Sequence, residues 1–327
     1  MTLLDDRIKK DLEELYNNGK GINKLIEDFN NRDIPLSQLK EDFQNCKISA
    51  AEDLSLRLFG VPTAFSIHGL PGYFTGDRGA ETVMVMLNPG QDVAGKDNPG
   101  TTEETLKKLR IDINTTLDKF ISTYQDGNRD FGKKQAKPDK FDVKQATFLK
   151  PWDGSGIKFD RFDPTSDKIK PEDKLNAVKA VLMDKLQLEL VPYASQKFDG
   201  IETDKLQCLF PFVKTLLDEI FAKKRTYVIF AGEIFERLFE NKQQMHIIGA
   251  SVKFGDLKFP NPPLQTKDKQ DSKTPFKCRK IVLTYNGKEQ EALIAHTYAV
   301  QFGGEIFYHY GKFCHSIYNH YDGNWYK

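Results

Sequence analysis

The chain has 327 residues, enough to bury a substantial core in one large domain or two smaller ones. Lys plus Arg number 48 against 47 Asp plus Glu, so bulk charge points to neither a nucleic-acid nor a membrane partner, and any such surface must be local. No stretch approaches a membrane-spanning run, residues 1–7 lack a basic segment followed by a long apolar one, and Cys46, Cys208, Cys278 and Cys314 are scattered without a CxxC. A cytoplasmic protein with reduced thiols is expected, without a disulfide framework, zinc site or cofactor.

Residues 1–60 read as helical. Leu12, Leu15 and Tyr16, then Ile22, Leu25 and Ile26, and later Leu54, Leu56 and Leu58 suit amphipathic segments, with a break near Asn17-Asn18-Gly19. Asp5, Asp6, Asp11, Glu13 and Glu14 read as a solvated helix face. Residues 67–79, punctuated by Gly69, Pro71, Gly72, Gly76 and Gly79, read as a loop entering the first core strand. That strand is the apolar run Val83-Met84-Val85-Met86-Leu87, suited to cover on both faces, and it stops at Asn88-Pro89-Gly90. Pro89 cannot donate to a ladder, Gly90 permits close backbone approach, and ligands of parallel sheets collect beyond the carboxyl ends of the strands. Asn88 is therefore a candidate site residue, or else part of an ordinary strand exit. Residues 92–102 are Gly- and Asn-rich and suit a pocket wall, with Gln91 and Asp92 lining it or capping the following turn.

A helix is expected over 103–124, from Leu106, Leu109, Ile113, Leu117, Phe120 and Ile121. Lys133, Lys134, Lys137, Lys140, Lys144 and Lys150 then interleave with Phe131, Phe141, Phe148 and Trp152, which suits either a phosphate-tracking, base-stacking surface or a solvated insertion. A second core strand over 186–191 runs through Glu189 to Pro192, Tyr193 and Ser195, where the Tyr193 ring either stacks on a ligand or packs the loop by a hydrogen bond. A helix over 204–223, a strand over 226–231 and a helix over 233–240 follow, and 253–277 reads as an excursion. Residues 279–285 and 289–296 form a hairpin across Asn286-Gly287, a pair suited to a type I′ turn, and it delivers His296 to a loop with Gly303-Gly304. His309, His315 and His320, set among Tyr308, Tyr310, Tyr318, Tyr321, Trp325 and Tyr326, read as a C-terminal helix rather than a metal site. The alternation implies an α/β fold, a three-layer α/β/α sandwich with a mainly parallel central sheet over 67–327. Insertions fall near 125–175 and 253–278, and 1–66 form a helical region packed on the core.

The strand ends at Asn88, Pro192-Tyr193 and His296 together resemble the uracil-DNA glycosylase superfamily over roughly 82–306. In its mismatch-specific and single-strand-selective branches the first motif reads Gly-x-Asn-Pro-Gly; this chain has Met86-Leu87-Asn88-Pro89-Gly90. The second motif begins with a His at the end of a late strand, a place filled here by Ala295-His296-Thr297-Tyr298-Ala299-Val300. The resemblance implies a glycosylase-like fold and a monofunctional enzyme of base excision repair. Such an enzyme hydrolyses the N-glycosidic bond of a flipped, modified or mismatched base, with DNA as partner and no metal. It gives Asn88 the positioning of a water below the sugar, with Asp92 as an alternative, and gives His296 the stabilisation of the departing base as a neutral donor. The implied pocket comprises Met86, Leu87, Pro89, Gly90, Gln91, Asp92, Glu189, Pro192 and Tyr193, and Val300, Gln301 and Phe302 lie where the family inserts a wedge into the duplex.

Three positions depart from the pattern. Met86 stands where the family has Gly, the Pro-Ser after the family's histidine is missing, and alignment on Pro192 puts Glu189 where the family has a base-reading Asn. A carboxylate only accepts hydrogen bonds, so a pocket-facing Glu189 favours a base with adjacent donors, such as guanine or a modified purine, over uracil. A register one residue off turns it to solvent or to a Lys instead. The altered motifs keep open a noncatalytic module that binds nucleic acid, nucleotide or a protein partner. A small-nucleotide hydrolase or transferase lacks its usual Ser-centred elbow or GxxxxGK[ST] loop here.

Overall fold

A computed structural model describes residues 2–31, 33–38, 41, 49–61, 65, 70–87, 115–131, 140–152, 171–195, 201–261, 263–264, 276–297 and 304–319. In chain order the helices are α1 (Leu3–Asn30), α2 (Ser49–Phe59), α3 (Leu117–Arg129), α4 (Lys140–Leu149), α5 (Pro171–Asp184), α6 (Phe210–Phe221), α7 (Ile234–Glu240), α8 (Lys242–Ile247) and α9 (Gly304–Asn319). The strands are β1 (Phe74–Gly76), β2 (Thr82–Met86), β3 (Lys185–Glu189), β4 (Tyr227–Ala231), β5 (Ala250–Lys258), β6 (Cys278–Tyr285) and β7 (Lys288–Ala295). Two compact units result. One comprises Met1–Tyr73, Leu87–Asp126 and Glu189–Thr215, the other Phe74–Met86, Gly127–Leu188 and Leu216–Lys327.

In the first unit, α1 opens with a capping box in which the Thr2 side chain accepts from the Asp5 amide and the Asp5 carboxylate accepts from the Thr2 amide at 2.9 Å. The helix runs on through Asn17-Asn18-Gly19, where a break was expected, because burial of Leu12, Leu15 and Tyr16 outweighs poor local propensity. Asp11 also departs from expectation. It shares the buried stripe of Leu4, Ile8 and Leu15 and accepts hydrogen bonds from Tyr73 Oη at 2.8 Å and Tyr193 Oη at 2.6 Å, so it is no part of a solvated face. In α3, Tyr124 donates to the Pro71 carbonyl at 2.5 Å and accepts from the Tyr73 amide at 3.4 Å. Of the helix expected over 103–124, residues 103–114 lie outside the described residues.

The second unit is built on a seven-stranded sheet of order β1-β3-β2-β4-β7-β6-β5. The α/β class holds, but the expected mainly parallel sheet is a mixed one. β2 with β4 and β4 with β7 are parallel, whereas β1 with β3, β5 with β6 and β6 with β7 are antiparallel. The hairpin forms as read, with Asn286 at φ 50° and Gly287 at φ 75°, both in the left-handed region that a type I′ turn requires. β5 extends the antiparallel half, and residues 253–258, read as part of an excursion, are strand.

Every residue of β2 is buried, as a strand covered on both faces must be. Met84, Met86, Ile229, Ala231, Leu293 and Ala295 turn one way, into a core shared with α4, α5 and α9. Phe230 turns the other way and meets Phe235 and Phe239 of α7, each at 5.0 Å. Phe148 and Trp152 are fully buried, their rings stacked at 6.2 Å, and Trp152 meets Tyr227 edge-on at 5.1 Å. These two aromatics are core, which rules them out as a base-stacking surface. Lys133, Lys134 and Lys137 lie outside the described residues. Of the aromatic C-terminal segment expected to be helical, residues 304–319 form α9 and bury Tyr310 and Tyr318, and residues 320–327 lie outside the described residues.

The amino-terminal ends of β2 and β4 are clamped by Arg225, just before β4. Its buried guanidinium donates to the carbonyls of Arg78 at 3.0 Å, Glu219 at 3.1 Å, Ile220 at 3.4 Å and, closest, Ala80.

Two substitutions test this packing. Arg225→Ala strands four carbonyls without their donor and is expected to cost roughly 3 kcal/mol or more, read as a lowered urea midpoint at unchanged slope. In α9, a Cβ on Gly311 would overlap the Phe148 carbonyl oxygen and stand 2.9 Å from its carbon. Gly311→Ala is therefore expected to destabilise by about 1–3 kcal/mol although Ala is the better helix former, and a neutral or stabilising result would refute this packing.

Candidate functional site

β4 and β7 run parallel side by side, and Gly232, at φ 129°, closes their carboxyl ends by donating its amide to the Ala295 carbonyl at 2.9 Å. His296 follows β7 immediately. Its backbone amide donates to the Lys277 carbonyl at 3.2 Å, and the buried Tyr310 hydroxyl donates to that same carbonyl at 2.6 Å while accepting from the Thr297 amide at 3.2 Å. The loop is thus anchored on both sides of the imidazole.

The His296 side chain is buried and its Nε2 hydrogen-bonds Glu236 Oε2, while Glu236 Oε1 pairs with Arg279 Nη1. Beside them Lys277 Nζ pairs with Glu233 Oε1 at 2.8 Å. Glu233 and Glu236 stand three apart at the start of α7, and Lys277 and Arg279 stand two apart at the start of β6, spacings that put each pair on one face. That complementary pattern is legible in the sequence once α7 and β6 are known to meet, and the sequence reading missed it.

Burial pushes the His296 pKa below its ordinary 6.5, and Lys277 pushes the same way, although the Glu236 hydrogen bond and the charges of Glu236 and Glu233 act against them. The net effect of the surroundings favours the neutral imidazole. Glu236 as a carboxylate can only accept, so Nε2 carries the ring hydrogen and Nδ1 presents a lone pair. Nδ1 is buried and has no hydrogen-bond partner among the described residues. With the ring hydrogen on the Glu236 side, Nδ1 is an acceptor, whereas the expected role of His296 is that of a neutral donor to a base. Lys277 in turn holds the Glu233 carboxyl below the usual carboxylate range.

The other sequence-derived residues are distributed as follows. Asn88, Pro89, Gly90, Gln91 and Asp92, and Val300, Gln301 and Phe302, lie outside the described residues. The Met86 side chain belongs to the apolar core of the second unit. In the first unit the Leu87 carbonyl accepts from Val191 at 2.9 Å, the Pro192 carbonyl from Gly72 at 2.7 Å and the Tyr73 carbonyl from the Glu189 amide at 3.1 Å. Glu189 is buried, which removes the solvent-facing alternative. Tyr193 takes the second of its two readings: it is buried, packs its ring 6.1 Å from Phe65 and donates to Asp11. Burial raises the pKa of Tyr73 and Tyr193, so both stay protonated donors, and it raises that of Asp11 against their hydrogen bonds.

Among the described residues no three His, Cys, Asp or Glu side chains are grouped to hold a metal ion, and no helix is long and apolar enough to cross a membrane. No protein-family model, curated protein or solved structure matches the chain.

Proposed function

We propose that this chain is a glycosylase-like hydrolase of the cytoplasm that cleaves the N-glycosidic bond of a flipped, modified or mismatched base in DNA, with His296 as its proton acceptor. One observation carries the reading: buried His296, paired with Glu236 that Arg279 braces, sits at the carboxyl end of β7 in a parallel β2-β4-β7 run. That edge is where α/β sheets collect ligands. On this reading the helices on both sheet faces form the three-layer sandwich of the uracil-DNA glycosylase type.

The sugar–base bond breaks with its electron pair leaving on the base, and a water oxygen bonds the anomeric carbon as the water's proton passes to His296 Nδ1. Glu236 stabilises the resulting imidazolium. By the resemblance Asn88 positions that water, with Asp92 as its alternative, and residues 300–302 enter the duplex. By the same resemblance, a pocket-facing Glu189 would favour a base with adjacent donors, such as guanine or a modified purine, over uracil.

A second reading is favoured by the same cluster. Nε2 is committed to Glu236 and Glu236 to Arg279, so the group could serve as a structural knot in a noncatalytic module that binds nucleic acid, nucleotide or protein.

Oligonucleotides each bearing one altered base, followed by alkaline cleavage at abasic sites, separate the two. The enzyme reading expects scission at one modified purine. His296→Ala is expected to slow it by about 100-fold or more, and Glu236→Gln by roughly tenfold or more, with circular dichroism unchanged. No scission across the panel assigns the fold to binding. The pH profile checks the role of His296. Since the neutral ring is the working form, single-turnover rate should hold through neutrality and fall as pH drops through the depressed histidine pKa, below 6.5. A rate that rises with acid over that range would make His296 a donor.

A further inference from the structure

In the first unit, α1 and the first turn of α6 flank a cleft of about 400 Å³ with Tyr193 among its walls. Its lining includes three cations, Arg7 and Lys10 from α1 and Lys214 from α6. The Arg7 guanidinium lies over the Phe212 ring, 4.4 Å from its centroid. Stacking fixes the guanidinium plane and leaves its hydrogen-bonding edge uncovered. Arg7, Lys10 and Lys214 make no hydrogen bond or ion pair with a described residue. The lining also carries two carboxylates: Asp6, exposed like Lys10 and Lys214, and buried Asp11, which accepts from two tyrosine hydroxyls and feels the Arg7 charge, so the cations outnumber the carboxylates by one.

We infer that this cleft binds the phosphoryl group of a small phosphomonoester. A planar fork with free N–H donors suits two oxygens of one oxyanion, and two ammonium groups suit the remaining charge. A phosphomonoester presents three terminal oxygens to these three side chains, whereas a carboxylate presents two. Leu3, Ala50 and Pro211 give the body of the ligand an apolar wall. The volume falls in the range of roughly 300–1,000 Å³ usual for small-molecule sites. A nucleic-acid strand presents repeated phosphates and calls for an extended track of charge, and here three cations share one cleft.

Calorimetric titration of the full chain with ribose 5-phosphate, with ribose as the neutral control, tests this. One equivalent of the phosphate is expected to bind and ribose to bind far more weakly. Arg7→Met, which keeps an apolar stem on Phe212, should weaken binding at least tenfold. A Lys10→Met/Lys214→Met double variant should do the same and decides the matter if Arg7→Met misfolds. Lys9→Met, exposed on α1 outside the cleft, should bind as the parent does. Equal binding of ribose and its phosphate, no loss in the cleft variants, or binding of a single-stranded oligonucleotide in place of ribose 5-phosphate would each overturn the proposal. The outcome is independent of the His296 reading, since His296→Ala leaves these residues untouched.

Discussion

The second unit depends on one buried cation. Arg225 cannot shed its proton, so burying it is tolerable only because four carbonyls and the nearby Glu219 charge replace the water it gives up. Two of those carbonyls belong to the last turn of α6, where unsatisfied acceptors and the negative end of the helix dipole attract a cation. The other two belong to the segment that enters β2. The Arg225 backbone is tied as well, through paired hydrogen bonds with the Gln290 side chain on β7 at 3.4 and 3.1 Å. Arg78, whose carbonyl is one of the four, also donates from Nε to Glu219 at 2.9 Å. β2, β4 and β7 therefore start in a fixed alignment. Their far ends, where His296 leaves the sheet about 16 Å on, inherit that alignment.

Two carboxylates, buried Asp11 and half-buried Glu236, show how partners sort roles. Asp11 is met by neutral hydroxyls, which satisfy its oxygen but bring no opposite charge, and desolvation raises its pKa. Such a group ties α1 to Tyr73 and to the Tyr193 loop and has nothing left to offer a reactant. Glu236 is met on one oxygen by the charge of Arg279 and on the other by an imidazole. That arrangement keeps a charge beside a titratable ring, and a ring so placed can change protonation state at modest cost. The distinction rests on partner chemistry, since both carboxylates lie close to fully packed protein.

What was legible in the sequence was local. The Asn286-Gly287 hairpin, the apolar β2 run and the short β4 strand depend on contiguous residues whose pattern alone specifies the element. β5 was not legible, because its outward positions carry Ser251, Lys253 and Lys258 and half of its alternation imitates a polar loop. The aromatics at Phe148 and Trp152 misled because neighbouring lysines give a core segment the composition of a nucleic-acid surface. His296 was found from its place at a strand end, whereas Glu236 lies 60 positions away and Arg279 on another strand. Nothing in either one's immediate neighbourhood announces the other. Asp11 escaped for the same reason, since its tyrosines come from 62 and 182 positions along the chain.

The resemblance and the geometry meet at His296 and differ over its hydrogen. A histidine that stabilises a departing base needs a hydrogen on the nitrogen facing it, and here the other nitrogen faces a carboxylate that Arg279 keeps in place. Giving both nitrogens a hydrogen means a cation, which Glu236 favours and burial opposes, and burial has the larger effect. The neutral tautomer that satisfies Glu236 turns Nδ1 into an acceptor, where the resemblance implies a donor. The hydrogen-bonding polarity of the imidazole is thus set by a partner outside the motif. Here that partner is Glu236, a helix residue that the strand-end pattern does not contain.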